Sequence, residues 1–563
     1  MDRPTKVKEF LEDYDRKMLG FQQSALFKAM GYTSDQIKKS RIAIVNSWSE
    51  QSPGHFHLRE LSKAITLGVT AAGATAFEIN VLGPCSSFAG NTDDLVHYDM
   101  PQRETICNSI ETGLRVGWCD GWVGLATCDK IVPAMLMAAL RLNRPCLIVL
   151  GGSMIPGHYQ GEWVALGRGG NIFAENQAID PEAFEELTSA CGTCSGACSE
   201  MTTGSTMMVM TEALGMGLPY SSTVPAAMAE IKQRAYQAGE QIVKLVKNNI
   251  RPSDIITEKS IENAIKVDMA VCGATNSVLH LQALAHETKL KITLDTWDRI
   301  SQKTPVLCNV APSGPYSVCD LHWAGGIPAV MKEISDLLHL DVLTCTGKTL
   351  AENIAKAKIT NHEVILSKNQ PLYKEGAIAI LKGNLAPIGA IIRHTIVTNR
   401  ALLDYEFTAK VFDSYLDALE AILTGNPKRI EPGDIVVCRY EGPRGGPAMG
   451  EMFFLTDALK KAALKDVAVI TDGRFSGFTR SVVAIGYVAP EAYVGGPLAL
   501  VQDYDKIQLD VAARQLNLNV SEEELARRKA AWLPPAQNFK KGVLAIYRDK
   551  ALQADQGAGW PIG

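Results

Sequence analysis

Over its first 350 or so residues the chain alternates short apolar runs with amphipathic stretches, and this alternation restricts the available folds more than any other feature. Residues 41–46 read as a buried strand. Residues 57–72 place Leu58, Leu61, Ile65 and Val69 at helical spacing. The rhythm continues as strand over 74–82, helix over 103–116, strand over 121–127, helix over 131–142 and strand over 145–150, which ends at Gly151-Gly152. Residues 201–216 and 252–285 read as further helices, the second broken near Cys272-Gly273, and 350–357 as a short closing one. Strands separated by helices build a mostly parallel sheet covered by helices. Ligands on such sheets bind outside the carboxyl ends of the strands.

The pattern changes near residue 365. Short strands over 377–381, 389–393, 410–412, 434–438, 467–470 and 507–510 are separated by turn residues, as in a β-rich barrel or sandwich. Ser521, with Glu524 three residues on, caps a late helix. A chain of 563 residues is too long for one core. The expected fold is therefore α/β: a three-layer domain with a mostly parallel sheet over 1–365, then a barrel-like domain over 366–563. The glycine-rich last eight residues read as a tail.

The net charge of −5 and the pI near 6.1 leave no basic footprint, which excludes nucleic acid as a partner. The sequence shows neither an apolar run long enough for a bilayer nor an apolar signal segment, so the expected location is the cytoplasm. The 13 cysteines, an odd number, point to reduced thiols with metal or catalytic roles. Most are small hydrophobes among apolar neighbours.

Five cysteines stand apart, in glycine-flanked segments: Cys85 in 83–86, Cys128 in 127–130, and Cys191, Cys194 and Cys198 in 191–198. Cys128 directly precedes Asp129 and Lys130. Thiolates suit iron–sulfur clusters and carboxylates suit Mg²⁺, so a strand end with both suggests two metals meeting one substrate. Asp129 also fits a helix N-terminus, where the dipole favours it. Zinc is the competing reading of the 191–198 loop, but it lacks a second cysteine pair. Segment 471–477 places Ser476 and Arg474 on a tight loop. That loop is either an Asp-Gly turn or a site where a neighbouring cation lowers the serine pKa. The glycine/proline-rich loop 441–452 carries Glu441 and Glu451, and Glu451 becomes a Mg²⁺ ligand if the loop reaches Asp129. His55 and His57 suit either zinc or a polar strand-to-helix junction.

Taken in order, 53–60, 128–133, the cysteine loop into 212–216, 311–314, 324–328, 383–387, 441–447 and 472–477 resemble the dihydroxy-acid dehydratase and phosphogluconate dehydratase family, which includes sugar-acid dehydratases. The resemblance spans nearly the whole chain. It implies an iron–sulfur cluster, [4Fe–4S] or [2Fe–2S], on Cys128 and Cys198, with Cys85 as third ligand. One branch carries an earlier cysteine where this chain has Gly54. It implies Mg²⁺ on Asp129, Lys130 and Glu451, the lysine often carbamylated, and Ser476 as base. Family members usually add an aspartate where this chain has Ser86 or Ser87, and Asp93 or Asp94 are candidate substitutes.

The implied reaction is dehydration of a 2,3-dihydroxy acid to a 2-keto acid, by a homodimer or pair of dimers. The Cys85 loop, and Pro315 in place of a lysine, favour a sugar acid as substrate. The alternative is a dihydroxy-acid dehydratase of branched-chain amino-acid synthesis. A further alternative, from another class, is a non-catalytic iron–sulfur or redox-sensing protein.

Overall fold

The computed structural model describes residues 5–88, 95–176, 178–536 and 539–561. After a helical arm over 5–37, strands β1 (Arg41–Asn46), β2 (Thr75–Asn80), β3 (Gly121–Ala126) and β4 (Cys146–Leu150) form one sheet in the order β2-β1-β3-β4. Every pairing in it is parallel. β1, β3 and β4 are buried along their whole length, while β2 at the edge is half exposed. That is the pattern of a sheet covered on both faces. Helices Leu58–Ala71 and Ala229–Asn248 pack together against it, as do Pro101–Gly117 and Ile131–Leu142. The helical run after residue 252 breaks at Cys272, whose φ of +58° ends the helix Glu258–Val271.

A short hairpin, β5 (Gly157–Tyr159) and β6 (Glu162–Val164), precedes the helical segment. Beyond it lie β7 (Ile378–Leu381), β8 (Gly389–Arg393), β9 (Asp404–Phe412), β10 (Asp434–Cys438), β11 (Ala468–Thr471), β12 (Val483–Ala489), β13 (Lys506–Asp510) and β14 (Gln515–Leu518). They form one sheet ordered β14-β13-β9-β10-β11-β12-β8-β7. Its ends meet: Lys382, just after β7, donates to the Arg514 carbonyl and accepts from Leu516. The sheet is thus a nearly closed barrel, with Phe407, Ile435, Ile470 and Leu509 in its core.

Two expectations are corrected. Residues 557–560 are no tail. Gly557 accepts a hydrogen bond from Arg103 Nη2 at 2.7 Å, and Ala558 is fully buried. Small residues are what this groove admits, because a Cβ on Gly557 would lie 2.5 Å from Ala283 N. The sequence reading also missed β12 and β14. In β12 the register shifts between Gly486 and Ala489, and Tyr487 has φ +59°, which hides the usual strand pattern.

Candidate active site

The loops after β1, β2 and β3 lie at the carboxyl edge of the parallel sheet and are tied together by one histidine. His55 Nδ1 donates to Gly83 O at 2.7 Å, and its Nε2 accepts from Cys128 N at 3.2 Å. Burial pushes its pKa down to about 4, so the ring is neutral with both nitrogens engaged. His57 pairs with Gly151 O at 2.6 Å. The junction reading of this pair is therefore the correct one, and His55 is a clamp that the sequence alone did not reveal.

The clamp sets Cys85 against Cys128, and Cys198 lines the same cavity of about 270 Å³. The Cys128 thiol donates to Cys85, which lowers the pKa of Cys85 and raises that of Cys128. Burial, then the neighbouring Cys85, raises Cys198. Backbone comes close here: a Cβ on Gly54 would lie 2.2 Å from Cys128 Sγ. Cys191 and Cys194 turn away from the inner cavity. Cys191 Sγ faces Ala165 O at 3.5 Å, and Cys194 Sγ accepts from Ile155 N at 3.3 Å.

Beside the thiols, Lys130 is fully buried among carboxylates. Its Nζ lies 2.9 Å from Asp99, 3.5 Å from Asp129 and 3.8 Å from Glu451. Arg474, also fully buried, donates to both Asp99 and Glu451. Two buried cations persist only because these carboxylates face them. For Lys130, burial lowers the pKa, but Asp99, Asp129 and Glu451 outweigh it and the net shift is upward. Burial likewise raises Asp129. Among the described residues no three His, Cys, Asp or Glu side chains are already spaced to hold one ion. The Lys130 ammonium stands between the carboxylates and draws their oxygens onto itself.

The barrel supplies the opposite wall. Ser476 follows β11 and lines the cavity, and its Oγ accepts from Phe478 N at 3.4 Å. The next residue, Gly477, packs on the start of helix Thr203–Ala213, where a Cβ would lie 2.7 Å from Thr203 N. Glu451 pairs with Arg474 backbone to backbone, which brings the 441–452 loop into the site. Tyr487 OH donates to Asn276 Oδ1 at 2.5 Å, and Asn276 Nδ2 donates to Glu451 and to Phe475 O at 3.4 Å. Six candidates (Cys85, Cys128, Cys198, Asp129, Glu451 and Ser476) thus line one cavity, and the seventh, Lys130, lies buried behind Asp129 and Glu451. Glu441 does not line it: it turns into the barrel, onto Tyr415 N at 2.8 Å. Asp93 and Asp94 lie outside the described residues. Asp99 was missed, because nothing local distinguishes it from a helix-leading aspartate.

The description "Dihydroxy-acid/6-phosphogluconate dehydratase N-terminal" matches residues 39–353, and its C-terminal counterpart matches residues 363–558. A protein of Acetivibrio thermocellus named dihydroxy-acid dehydratase is 45% identical over 541 residues, covering 95% of this chain and 96% of its own length. Proteins of the same name from Caldicellulosiruptor saccharolyticus and Pyrococcus abyssi are each 44% identical, covering 95% of this chain and 97% and 96% of their own. This chain belongs to the dihydroxy-acid/6-phosphogluconate dehydratase family and is a hydro-lyase.

Proposed function

We propose that the chain converts a 2,3-dihydroxy carboxylic acid to a 2-keto acid in this cavity, with an iron–sulfur cluster on Cys85, Cys128 and Cys198 and Mg²⁺ on Asp129, Glu451 and Lys130, the lysine as its carbamate. The supporting observation is the convergence of three thiols, a lysine–carboxylate group and Ser476 on one cavity. The donor chemistry fits both groups: soft thiols on one side, hard carboxylate oxygens on the other. Gly54 lets the Cys128 sulfur sit directly against backbone, where any side chain would meet it. When bound, the two groups supply Lewis acidity at the C3 hydroxyl and at the substrate carboxylate.

The chain's own residues do the rest. Ser476 Oγ takes the C2 proton, and a dication held at the neighbouring carboxylates would favour its ionised form. Loss of that proton and of the C3 hydroxide leaves an enol that tautomerises to the keto acid. Val96, Leu166, Phe453, Phe454 and Phe478 wall the cavity and exclude water. In domain terms, residues 1–365 would carry the thiols and 366–563 the serine. A homodimer or pair of dimers would cover Phe10, Phe21, Leu26 and Met30, which are exposed on the N-terminal arm.

The substrate we favour has a short branched aliphatic chain. Its support is the apolar wall, together with the name shared by the relatives. This reverses the preference drawn from the sequence. Pro315 accepts a hydrogen bond from Trp163 and does not line the cavity, so it lends the sugar-acid reading no support. A sugar acid is the second reading, favoured by Asn171 and Asp457 on the same wall.

The test is an assay of anaerobically reconstituted enzyme on 2,3-dihydroxyisovalerate and a panel of aldonates. The branched acid is expected to show the highest kcat/KM, and an aldonate that exceeds it selects the second reading. Ser476→Ala should lower kcat by about 10²- to 10⁴-fold with the cluster absorbance intact. Undiminished turnover removes Ser476 as base. A loaded cluster with no turnover of any dihydroxy acid would favour the non-catalytic reading. Cys85→Ser should lower bound iron and sulfide.

A further inference from the structure

We infer that Asp99 supplies the third carboxylate of the cation site, in place of the aspartate that the family resemblance leads one to expect at Ser86 or Ser87. This rests on the cation site proposed above. Asp99 is 2% exposed and lines the cavity. Its Oδ2 lies 2.9 Å from Lys130 Nζ and accepts from Arg474 Nη2, and Arg474 in turn holds Glu451. The Ser86 side chain hydrogen-bonds to Asp99. The two positions therefore meet at one point, where the short serine leaves room for the carboxylate arriving from Asp99. The contact of Oδ1 with Gln102 Nε2, on the helix that Asp99 precedes, is long at 3.4 Å, while Lys130 and Arg474 lie on the cavity side.

With Lys130 as the carbamate of the proposed site, Asp99, Asp129, Glu451 and the carbamate face one cation, Arg474, and Asp99 adds one of the four negative charges that draw in a dication and offset its lost hydration.

Cluster-loaded, Mg²⁺-free enzyme is titrated with Mn²⁺ and followed by EPR. Asp99→Asn is expected to weaken Mn²⁺ binding about tenfold or more with iron and sulfide content unchanged. The exchange variant Ser86→Asp/Asp99→Ser is expected to bind Mn²⁺ within a few-fold of wild type. If Asp99→Asn binds like wild type while Asp129→Asn does not, Asp99 is no part of the cation site and the inference fails alone. If wild type binds no Mn²⁺, or Asp129→Asn binds like wild type, the cation site itself fails and takes the inference with it. If Asp99→Asn does not fold, the exchange variant decides: binding sustains the inference, and a folded exchange variant without binding overturns it.

Discussion

The molecule holds two groups of three buried or half-buried carboxylates, and they are stabilised in opposite ways. Asp99, Asp129 and Glu451 face cations. Burial alone would raise the Asp99 pKa, yet Lys130 and Arg474 outweigh it and hold the carboxyl well below its usual range. Glu441, Asp472 and Glu491, on the barrel side, are held by backbone N–H groups instead. Asp472 accepts from Glu441 N at 2.9 Å and from Ala492 N at 2.8 Å, and Glu491 accepts from Gly445 N at 2.9 Å. Burial pushes Glu441 up to about 8, Asp472 to about 6 and Glu491 to about 7. Charged partners keep Asp99 ionised and able to meet a substrate or dication. Amide partners make the second group a scaffold that fixes the 441–452 loop, so that Glu451 points into the site.

The comparison breaks first if the cations of the first group prove dispensable. Arg474→Met strands Asp99 and Glu451 opposite a lone lysine. It should cost about 3–5 kcal/mol in denaturant unfolding, the usual price of removing one partner of a buried ion pair. A variant as stable as wild type would show that Arg474 does not hold that group together.

In the second group the corresponding loss is smaller. Asp472→Asn keeps one acceptor oxygen but sets an NH₂ against backbone donors at Tyr440 and Ala492. A cost of about 1–3 kcal/mol follows, that of leaving a buried donor unsatisfied. If this variant loses more than Arg474→Met, the amide-held group is the more demanding of the two and the ranking is wrong.

How far the sequence exposed these groups depends on how local each signal is. Cys128-Asp129-Lys130 is contiguous and sits just after β3, so strand periodicity and donor chemistry place it together. The strand–helix rhythm revealed the parallel sheet, because buried strands and amphipathic helices leave different periods in a window of ten or so residues. Asp99 left no such trace: its partner Arg474 is 375 positions away. Glu441 and Glu451 share one loop and looked alike, yet they point to different interiors. Which way each turns is set by the Asp472 and Arg474 side chains of another loop, and these become neighbours only when the barrel closes. The tail reading failed for a related reason, since Gly557 and Ala558 are small because the groove they enter is narrow.

The smallest expected effect sharpens the comparison through pH. Glu441 is protonated in the folded chain up to about pH 8, whereas an unfolded glutamate releases its proton near 4.5. Its contribution to stability is therefore complete below the unfolded value and is lost as pH rises through the folded one. Glu441→Gln retains an oxygen for Tyr415 N and cannot ionise. Its melting temperature should exceed that of wild type by a few degrees at about pH 8.5, with the gap closing toward about pH 5. Asp472 and Glu491 titrate in both proteins, so the difference isolates Glu441. A gap that stays constant across this range would mean that Glu441 is ionised in the fold, as Asp99 is.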